Sequence, residues 1–250
     1  MSGGVKIVGL GPGASGLITP DAAAALEWAT DVIGYLPYVA RVADREGLTK
    51  HASDNRVERE RARHALELAE AGHRVAVVSS GDPGVFAMAS AVFEVLEEGP
   101  EAWRAITVEV LPGITAMLAA AARIGAPLGH DFCAINLSDN LKPWPLIEKR
   151  LRLAAEADFA MGFYNPRSKA RPEQFGRALE VLRKVCADAR PMIFARAVST
   201  PQEAITVVPL PDAKPEMADM RTVVLVGSSL TRVIPRPIGD IVYTPRSVPG

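Results

Sequence analysis

The stretch from Val77 to Ser90 ends an apolar run with a turn whose groups could bind a ligand. Its sequence is VVSSGDPGVFAMAS, so Ser80, Gly81 and Asp82 follow the apolar residues directly. Open α/β sheets bind ligands at the carboxyl ends of their strands, where such a turn would lie. A hydroxyl, turn N–H groups and a carboxylate offer both donors and acceptors to a polar molecule. The stretch therefore predicts a binding site at this turn.

A second loop, GLGPGA at 9–14, matches the dinucleotide fingerprint G-x-G-x-x-G/A, which is a weak signal by itself. Three features argue against a nicotinamide cofactor. Pro12 lacks a backbone N–H for the pyrophosphate, and the next helix is predicted to begin only at Pro20, with Thr19 as its N-cap. Asp31 precedes the second apolar run, whereas a ribose-binding acid follows it. We therefore expect a tight glycine turn, and a dehydrogenase is the weaker interpretation.

Composition narrows the class of protein. The 250 residues are 48% hydrophobic and 23% charged, which is typical of a soluble globular chain. A formal net charge of −1 gives no reason to expect nucleic acid or a membrane surface as a partner. Cys133 and Cys186 lie far apart without CxxC spacing, which argues against a disulfide scaffold and a metal site. The N-terminus does not resemble a signal peptide, so we expect a cytoplasmic protein.

The order of predicted elements indicates two α/β domains. Short β-branched runs alternate with helical patterns in the first half, which predicts a mostly parallel sheet. The last three strands of the second half follow one another closely, which predicts a mixed sheet. We place the first domain at 1–122, a linker at about 123–127 and the second domain at 128–250, with the ligand site in the cleft between the domains.

The predicted elements follow from these patterns. Strands are expected at 5–11, 31–35, 74–80, 106–113, 132–138, 158–164, 191–198, 204–210 and 221–229. Helices are expected from residue 20, within 56–72, and at 116–124, 145–157 and 172–187. The charged run 56–74 is expected to be a solvated helix face, and the tail 236–250 is expected to be irregular.

Three motifs, taken in order and spacing, carry a resemblance to a known family. They are VGLGPG at 8–13, SSGDPGVFAMAS at 79–90 and LPGIT at 111–115, and together they resemble the tetrapyrrole methylases. The resemblance implies a two-domain enzyme, often a homodimer, that binds S-adenosylmethionine between an N-terminal and a C-terminal α/β domain. The stretches 34–39, 136–151 and 157–171 are similar to members that methylate precorrin-3B at carbon 17 and contract the ring in cobalamin biosynthesis.

The resemblance also implies which residues contact the methyl donor. In the first half these lie in the two loops quoted above and in the segment after the Pro-Gly-Ile of the third motif. In the second half they lie at the ends of two predicted strands. The implied cofactor residues are Pro12, Ser80, Gly81, Asp82, Val85, Thr115, Ala116, Tyr164, Asn165, Ala197 and Val198.

Ring contraction would require a proton donor and a base. For this family reaction the candidate catalytic residues are Asp139 in NLSDN and the tyrosines Tyr35 and Tyr38 in GYLPYV, with Ser138 beside the substrate. Each has a structural alternative. Asp139 could cap the helix entered at 143–145 or form an Asx turn, and the tyrosines could be packing residues.

A tetrapyrrole acceptor carries several carboxylates, which arginine binds well. Arg167 and Lys169 in NPRSKAR are the candidate substrate-binding cations, and the alternative is a solvated loop. Two other functions stay open. One is methylation of a different precorrin or of a cobalt-containing intermediate, and the other is tetrapyrrole binding without turnover.

Overall fold

The computed structural model describes residues 3–54, 57–186 and 189–247. The chain divides into two compact units, Met1–Thr115 and Ala116–Gly250. Residues 116–122, which the sequence analysis placed at the end of the first domain, are therefore grouped with the second unit. Residues 123–126, expected in the linker, belong to a helix end and a two-residue strand.

The first unit contains a five-stranded sheet with the order β3-β2-β4-β1-β5, and all of its strands are parallel. The predicted helix start is confirmed, because Thr19 accepts a hydrogen bond from the Ala22 N–H. The elements are β1 (Gly4–Gly9), α1 (Pro20–Trp28), β2 (Asp31–Tyr35), α2 (Leu36–Val39), β3 (Thr49–Ser53), α3 (Glu58–Glu70), β4 (Arg74–Ser79), α4 (Met88–Glu98) and β5 (Thr107–Leu111).

The connections after β1 and β4 leave these neighbouring strands in opposite directions. The chain passes from β1 through α1 to β2 on one side, and from β4 through α4 to β5 on the other. Val5 and Ile7 pack with α3 and α4, whereas Val8 and Leu10 pack with α1 on the opposite face. Such a divergence is a topological switch point, where open α/β sheets bind ligands.

The charged helix α3 is not a purely solvated face, which corrects the sequence expectation. Arg61 is only 6% exposed and donates from Nε to Ser53 Oγ and from Nη2 to the Asp54 carbonyl. Burial lowers the pKa of this arginine, and Glu58 opposes the shift. The first residue of the predicted charged run, Arg56, lies outside the described residues.

The second unit contains a mixed five-stranded sheet with the order β10-β9-β11-β8-β7, as the sequence predicted. Only β7 and β8 pair in parallel, and the other pairs are antiparallel. The elements are α5 (Ala116–Ile124), β6 (Gly125–Ala126), β7 (Phe132–Asn136), α6 (Trp144–Glu156), β8 (Ala160–Tyr164), α7 (Gln174–Val185), β9 (Pro191–Arg196), β10 (Ala204–Pro209), β11 (Thr222–Val226), β12 (Arg232–Ile234) and β13 (Ile241–Tyr243).

Two expectations about this unit differ from the structure. The tail is not wholly irregular, because β13 pairs with β12 and, in parallel, with β6. The predicted helix 172–187 begins two residues later, at Gln174, and its expected last residue, Ala187, lies outside the described residues. The tail residues 248–250 lie outside them as well.

Helices cover both faces of the mixed sheet. Helices α6 and α7 pack on the face that holds Met161 and Phe163. On the other face, Gly162 makes room for Met117 of α5, since a Cβ there would lie 2.3 Å from the Met117 sulfur. The sheet is therefore a rigid support for the loops at its edges.

Within the described part of the chain, no helix is long and apolar enough to cross a membrane.

Asp31 is buried at the amino end of β2, far along the strand from the switch-point loops. Its carboxylate contacts His51 Nε2 and His73 Nδ1, both at 2.8 Å, and accepts a hydrogen bond from Thr30. Burial raises the pKa of Asp31, but the hydrogen bonds from the two histidines and Thr30 outweigh it and lower the pKa below 3.8. This acid is thus a structural residue of the unit.

We expect Asp31→Asn to lower the free energy of unfolding by about 2 kcal/mol at pH 6. Because the folded-state pKa is depressed, the carboxylate stabilises the fold above about pH 4, and this contribution is lost as the pH falls through the folded pKa. The difference between wild type and variant should therefore shrink towards pH 3 in urea titrations. Asp44→Asn, at an exposed carboxylate, should give a small difference at every pH. A constant difference for Asp31→Asn would contradict the prediction.

Candidate functional site

The loops after β1 and β4 are joined at the switch point by backbone hydrogen bonds. The Gly11 N–H donates to the Gly81 carbonyl at 3.2 Å, and the Gly81 N–H donates back to the Gly11 carbonyl at 2.9 Å. Both glycines have positive φ, 64° and 67°, a conformation that glycine adopts without steric cost. The glycine-rich loop (9–14) and the Gly-Asp-Pro turn (81–83), which were predicted separately, are therefore joined by direct hydrogen bonds.

The loop after β5 joins this structure through close backbone contact. A Cβ on Gly113 would lie 2.1 Å from the Gly81 carbonyl oxygen, and one on Gly9 would lie 2.6 Å from the Gly113 nitrogen. Side chains cannot be accommodated at these two positions without moving backbone. We call Gly9, Gly11, Gly81 and Gly113 the glycine cluster. It holds the three loops in contact at the carboxyl edge of the parallel sheet.

Asp82 fastens the same loops with its side chain. Its Oδ1 accepts from the Gly84 N–H at 2.8 Å, and its Oδ2 accepts from the Gly113 N–H at 3.0 Å. Hydrogen bonds to a carboxylate are among the stronger ones in proteins. Each carboxylate oxygen keeps a further lone pair that a ligand hydroxyl or amine could use. Asp82 thus positions the turn and can still accept a hydrogen bond.

Arg41 was not predicted from the sequence, although it also contacts these loops. It follows α2, and its guanidinium donates to the carbonyls of Leu10, Gly11 and Gly13. Burial lowers its pKa, and the nearby Tyr38 opposes that shift. The signal that could have found it is its place directly after GYLPYV, the motif that marks this group of relatives.

Tyr35 and Tyr38 lie together beside the switch point. Their rings meet edge to face with centroids 5.3 Å apart. Burial raises the pKa of Tyr38, followed by the effect of Tyr35, while Arg41 and Arg61 act in the opposite direction. The phenol therefore stays protonated at neutral pH and can donate. Tyr35 borders an open cavity of about 400 Å³, which is also lined by Leu36, Pro37, Ala52, Ser53 and Asp54.

The remaining predicted cofactor residues of the first unit lie in these loops or next to them. Pro12 and Val85 are partly exposed, in the glycine-rich loop and the Gly-Asp-Pro turn, and Ser80 joins β4 to that turn. Thr115 is buried at the end of the first unit. Beside Val85, Phe86 has φ of 54° and is 48% exposed. Strained backbone of this kind concentrates at ligand-binding sites.

In the second unit, three strands end at one edge of the mixed sheet. Strands β7, β8 and β9 point the same way, because β11 is antiparallel to both β8 and β9. The segments after them carry the predicted residues of this unit. These are Ser138 and Asp139 after β7, Tyr164 and Asn165 at the end of β8, and Ala197 and Val198 after β9.

Tyr164 and Asn165 have defined partners at this edge. The Tyr164 hydroxyl accepts from the Met117 N–H at 3.1 Å in the first turn of α5, directly after Ala116. The Asn165 amide donates to Asn136 Oδ1 at 3.2 Å, and that oxygen also accepts from the Ser138 N–H at 2.9 Å. Asn165 has φ of 51°. The loops after β7 and β8 are thus held together.

Asp139 is held by a residue that the sequence did not single out. Its Oδ2 accepts at 3.0 Å from Nε2 of Gln174, which is the first residue of α7. The structure does not support the alternative that Asp139 caps α6, since that helix begins after Pro143 without a side-chain cap. Lys142 donates to the Ser138 carbonyl at 3.2 Å. Burial lowers the pKa of Lys142, and Asp139 raises it.

The basic loop after β8 separates into one structural and two accessible cations. Arg171 is only 8% exposed, and its guanidinium donates to the Asn165 carbonyl at 3.2 Å. Arg167 is partly exposed and donates to the Pro172 carbonyl at 3.2 Å, while Lys169 is exposed. Arg167 and Lys169 are therefore the accessible cations of this loop.

The segment after β9 is buried and strained. Ala197 has φ of 49° and Ser199 has φ of 64°. The Ala197 N–H donates to the Arg221 carbonyl at 2.8 Å, and its own carbonyl accepts from the Thr200 hydroxyl at 2.8 Å. Ala197 and Val198 are both buried, so a ligand would meet mainly their backbone.

Among the described residues, no group of three or more His, Cys, Asp or Glu side chains could hold a metal ion.

Comparison with known proteins gives matches over most or all of this chain. Residues 4–214 match the family described as Tetrapyrrole (Corrin/Porphyrin) Methylases. The chain is 53% identical to the precorrin-3B C(17)-methyltransferase of Sinorhizobium sp., covering 100% of this chain and 99% of that protein. It is 47% identical to the cobalamin biosynthesis protein CobIJ of Mycobacterium bovis, of which it spans about half, 49%.

A solved structure agrees with these matches. The crystal structure of the methyltransferase CobJ superposes with a TM-score of 0.94 at 66% sequence identity, covering 98% of this chain and 100% of that one. The α/β architecture, the parallel sheet of the first unit and the mixed sheet of the second are therefore those of a characterised methyltransferase fold. The chain belongs to the tetrapyrrole (corrin/porphyrin) methylases.

Proposed function

We propose that this chain transfers a methyl group from S-adenosylmethionine to carbon 17 of precorrin-3B and contracts the ring to precorrin-4 in cobalamin biosynthesis. The observation that carries the proposal is the 53% identity, over both full lengths, to a precorrin-3B C(17)-methyltransferase. Identity at this level over both full lengths supports a shared activity as well as a shared fold.

The carboxyl edge of the parallel sheet fits S-adenosylmethionine in chemistry. The glycine cluster lets the backbones of the three loops approach one another without side chains in between. Asp82 keeps acceptor capacity beyond its two backbone partners, which suits an amine or a ribose hydroxyl. We propose Pro12, Ser80, Gly81, Asp82, Val85 and Thr115 as donor-binding residues here. In the second unit we propose Ala116, Tyr164, Asn165, Ala197 and Val198.

When bound, S-adenosylmethionine supplies a methyl group from a sulfonium that leaves as a neutral thioether. The residues of the chain therefore act mainly by holding the reactants in place, which can contribute about 7–11 kcal/mol to catalysis. Ring contraction makes more specific demands. Tyr38 stays protonated and can donate, and Asp139 is oriented by Gln174 and can accept or return a proton. Tyr35 is the third candidate beside Tyr38.

Ser138, Arg167 and Lys169 are the proposed contacts to the acceptor carboxylates. Arg167→Glu is expected to raise the KM for precorrin-3B about tenfold, because it replaces attraction of a carboxylate with repulsion. The dissociation constant of S-adenosylhomocysteine should stay within about twofold of wild type. Steady-state kinetics and calorimetric titration measure the two quantities. An unchanged KM, or a selective loss of S-adenosylhomocysteine binding, would remove Arg167 from this role.

The first experiment is an anaerobic incubation of the purified protein with S-adenosylmethionine and precorrin-3B. S-Adenosylhomocysteine and the tetrapyrrole are followed together by mass spectrometry. We expect precorrin-4, and donor consumption that requires precorrin-3B. Turnover only with the cobalt-containing intermediate, or with another precorrin, would replace the acceptor. Tetrapyrrole binding without donor consumption would support a non-catalytic binding protein instead.

We also propose a cytoplasmic homodimer with a small-molecule tetrapyrrole as substrate and with neither nucleic acid nor membrane as a partner. The support is the family resemblance and the net charge of −1. Light scattering on the purified protein should give twice the 26.6 kDa of the chain. A mass of one chain at micromolar concentration would contradict the dimer.

A further inference from the structure

Arg41 gathers the carbonyl groups of the glycine-rich loop around one guanidinium. Its Nη1 donates to the Gly11 carbonyl at 3.1 Å, and its Nη2 donates to the carbonyls of Leu10 and Gly13. All three acceptors come from four consecutive residues that lie about 30 positions before Arg41 in the sequence. The planar guanidinium presents its donors in a fixed arrangement, so it can define the shape of a loop as well as bind it.

The loop has few means of holding its own shape. Glycine loses more conformational freedom on folding than any other residue, and Pro12 cannot donate a backbone hydrogen bond. On one side, the loop is bridged to Gly81. On the other side, the contacts come from Arg41. The described peptide bonds are trans, so the Gly13 carbonyl directed at Arg41 places the Ala14 N–H on the opposite side.

The connection to the GYLPYV motif is short and rigid. Helix α2 begins directly after β2, and the Arg41 N–H donates to the Tyr38 carbonyl at 3.0 Å. Tyr35, Tyr38 and Arg41 therefore follow one another closely at the end of β2. Tyr35 lines the cavity, Tyr38 packs against Tyr35, and Arg41 contacts the glycine-rich loop. The segment 34–41 therefore carries two phenols and also contacts the glycine-rich loop through Arg41.

We propose that Arg41 is a positioning residue that holds the glycine-rich loop in the conformation that binds the methyl donor, and so sets the affinity for S-adenosylmethionine. This inference rests on the proposed function, in which the carboxyl edge of the parallel sheet binds S-adenosylmethionine. Arg41 acts here through backbone carbonyls and takes no part in the transfer of the methyl group. It connects the end of β2, where Tyr35 and Tyr38 lie, to the glycine-rich loop after β1.

The chain offers a matched control in Arg45. Its Nη2 also donates to three carbonyls, those of Leu26, Glu27 and Ala29, but these lie at the end of α1 and not in the glycine-rich loop. Arg41→Met, Arg41→Lys and Arg45→Met are compared by thermal unfolding and by calorimetric titration with S-adenosylhomocysteine, at a temperature where each variant is folded. Arg41→Lys keeps the charge but loses the planar fork, and it carries the test if Arg41→Met does not fold.

We expect Arg41→Met to weaken S-adenosylhomocysteine binding about tenfold or more and Arg41→Lys to weaken it about threefold. Arg45→Met should lower the melting temperature but leave binding within about twofold of wild type. Unchanged binding in both Arg41 variants would overturn the inference. Equal weakening in Arg41→Met and Arg45→Met would also overturn it, since stability alone would then explain the effect. Failure of the wild type to bind S-adenosylhomocysteine would instead contradict the proposed function.

Discussion

Gly113→Ala is expected to abolish measurable S-adenosylhomocysteine binding and to lower the free energy of unfolding by about 3 kcal/mol. The added Cβ would lie 2.1 Å from the Gly81 carbonyl oxygen and 2.9 Å from two backbone atoms of Gly9. These neighbours are backbone atoms, so they cannot rotate away as a side chain could. To make room, the loop after β5 must move away from Gly9 and Gly81. This movement also weakens the hydrogen bond from the Gly113 N–H to Asp82. Chemical unfolding and calorimetric titration measure the two effects.

Gly16→Ala is the control for this variant. Gly16 follows the glycine-rich loop, lies in a 3-10 turn and has open space where its Cβ would be placed. Its substitution should change stability by no more than about 0.5 kcal/mol and leave binding unchanged. If Gly113→Ala behaved like Gly16→Ala, the close contact between the three loops would not be needed for binding.

The sequence predicted those elements whose signal is local. The N-cap Thr19 is recognised from residues within one helical turn, and the apolar β-branched runs 5–11 and 74–80 correspond to β1 and β4. Strand β3, with the sequence TKHAS, was missed because it lies at the sheet edge and has no apolar alternation. Strand β13 was missed because its three residues are held by β6 and β12, which a local pattern does not show.

The side chains of the candidate site show the same difference between local and long-range sequence signals. The turn at Gly81-Asp82 was predicted because polar groups follow an apolar run, as at many ligand-binding edges. Tyr164 and Asn165 were predicted from the family resemblance alone. Arg41 and Gln174 were missed because they contact segments 30 and 35 residues away, and a local pattern does not show such contacts. Arg61 was placed on a solvated face because charge along a helix normally indicates exposure. Only the fold brings it beneath β3.

The second large effect is expected at Asp82. Its substitution tests whether this carboxylate positions the loops for binding or only stabilises the fold. Asp82→Ala removes the acceptor for two backbone N–H groups, those of Gly84 and Gly113. Hydrogen bonds to a charged group contribute about 1.5–3 kcal/mol each when buried, and less when exposed. Since Asp82 is partly exposed, we expect a loss of about 2 kcal/mol in unfolding free energy. Binding of S-adenosylhomocysteine should weaken about a hundredfold, because both loops lose their fixed arrangement.

Asp31→Asn is the stability-matched control for Asp82→Ala. It also removes a carboxylate with several partners in the first unit and is expected to cost about 2 kcal/mol, but it lies at the amino ends of the strands. Titration with S-adenosylhomocysteine below the unfolding transition should show wild-type affinity for Asp31→Asn and weakened affinity for Asp82→Ala. Equal affinities in the two variants would mean that the carboxylate of Asp82 contributes only to the stability of the fold. The glycine cluster would then be sufficient to shape the donor site without it.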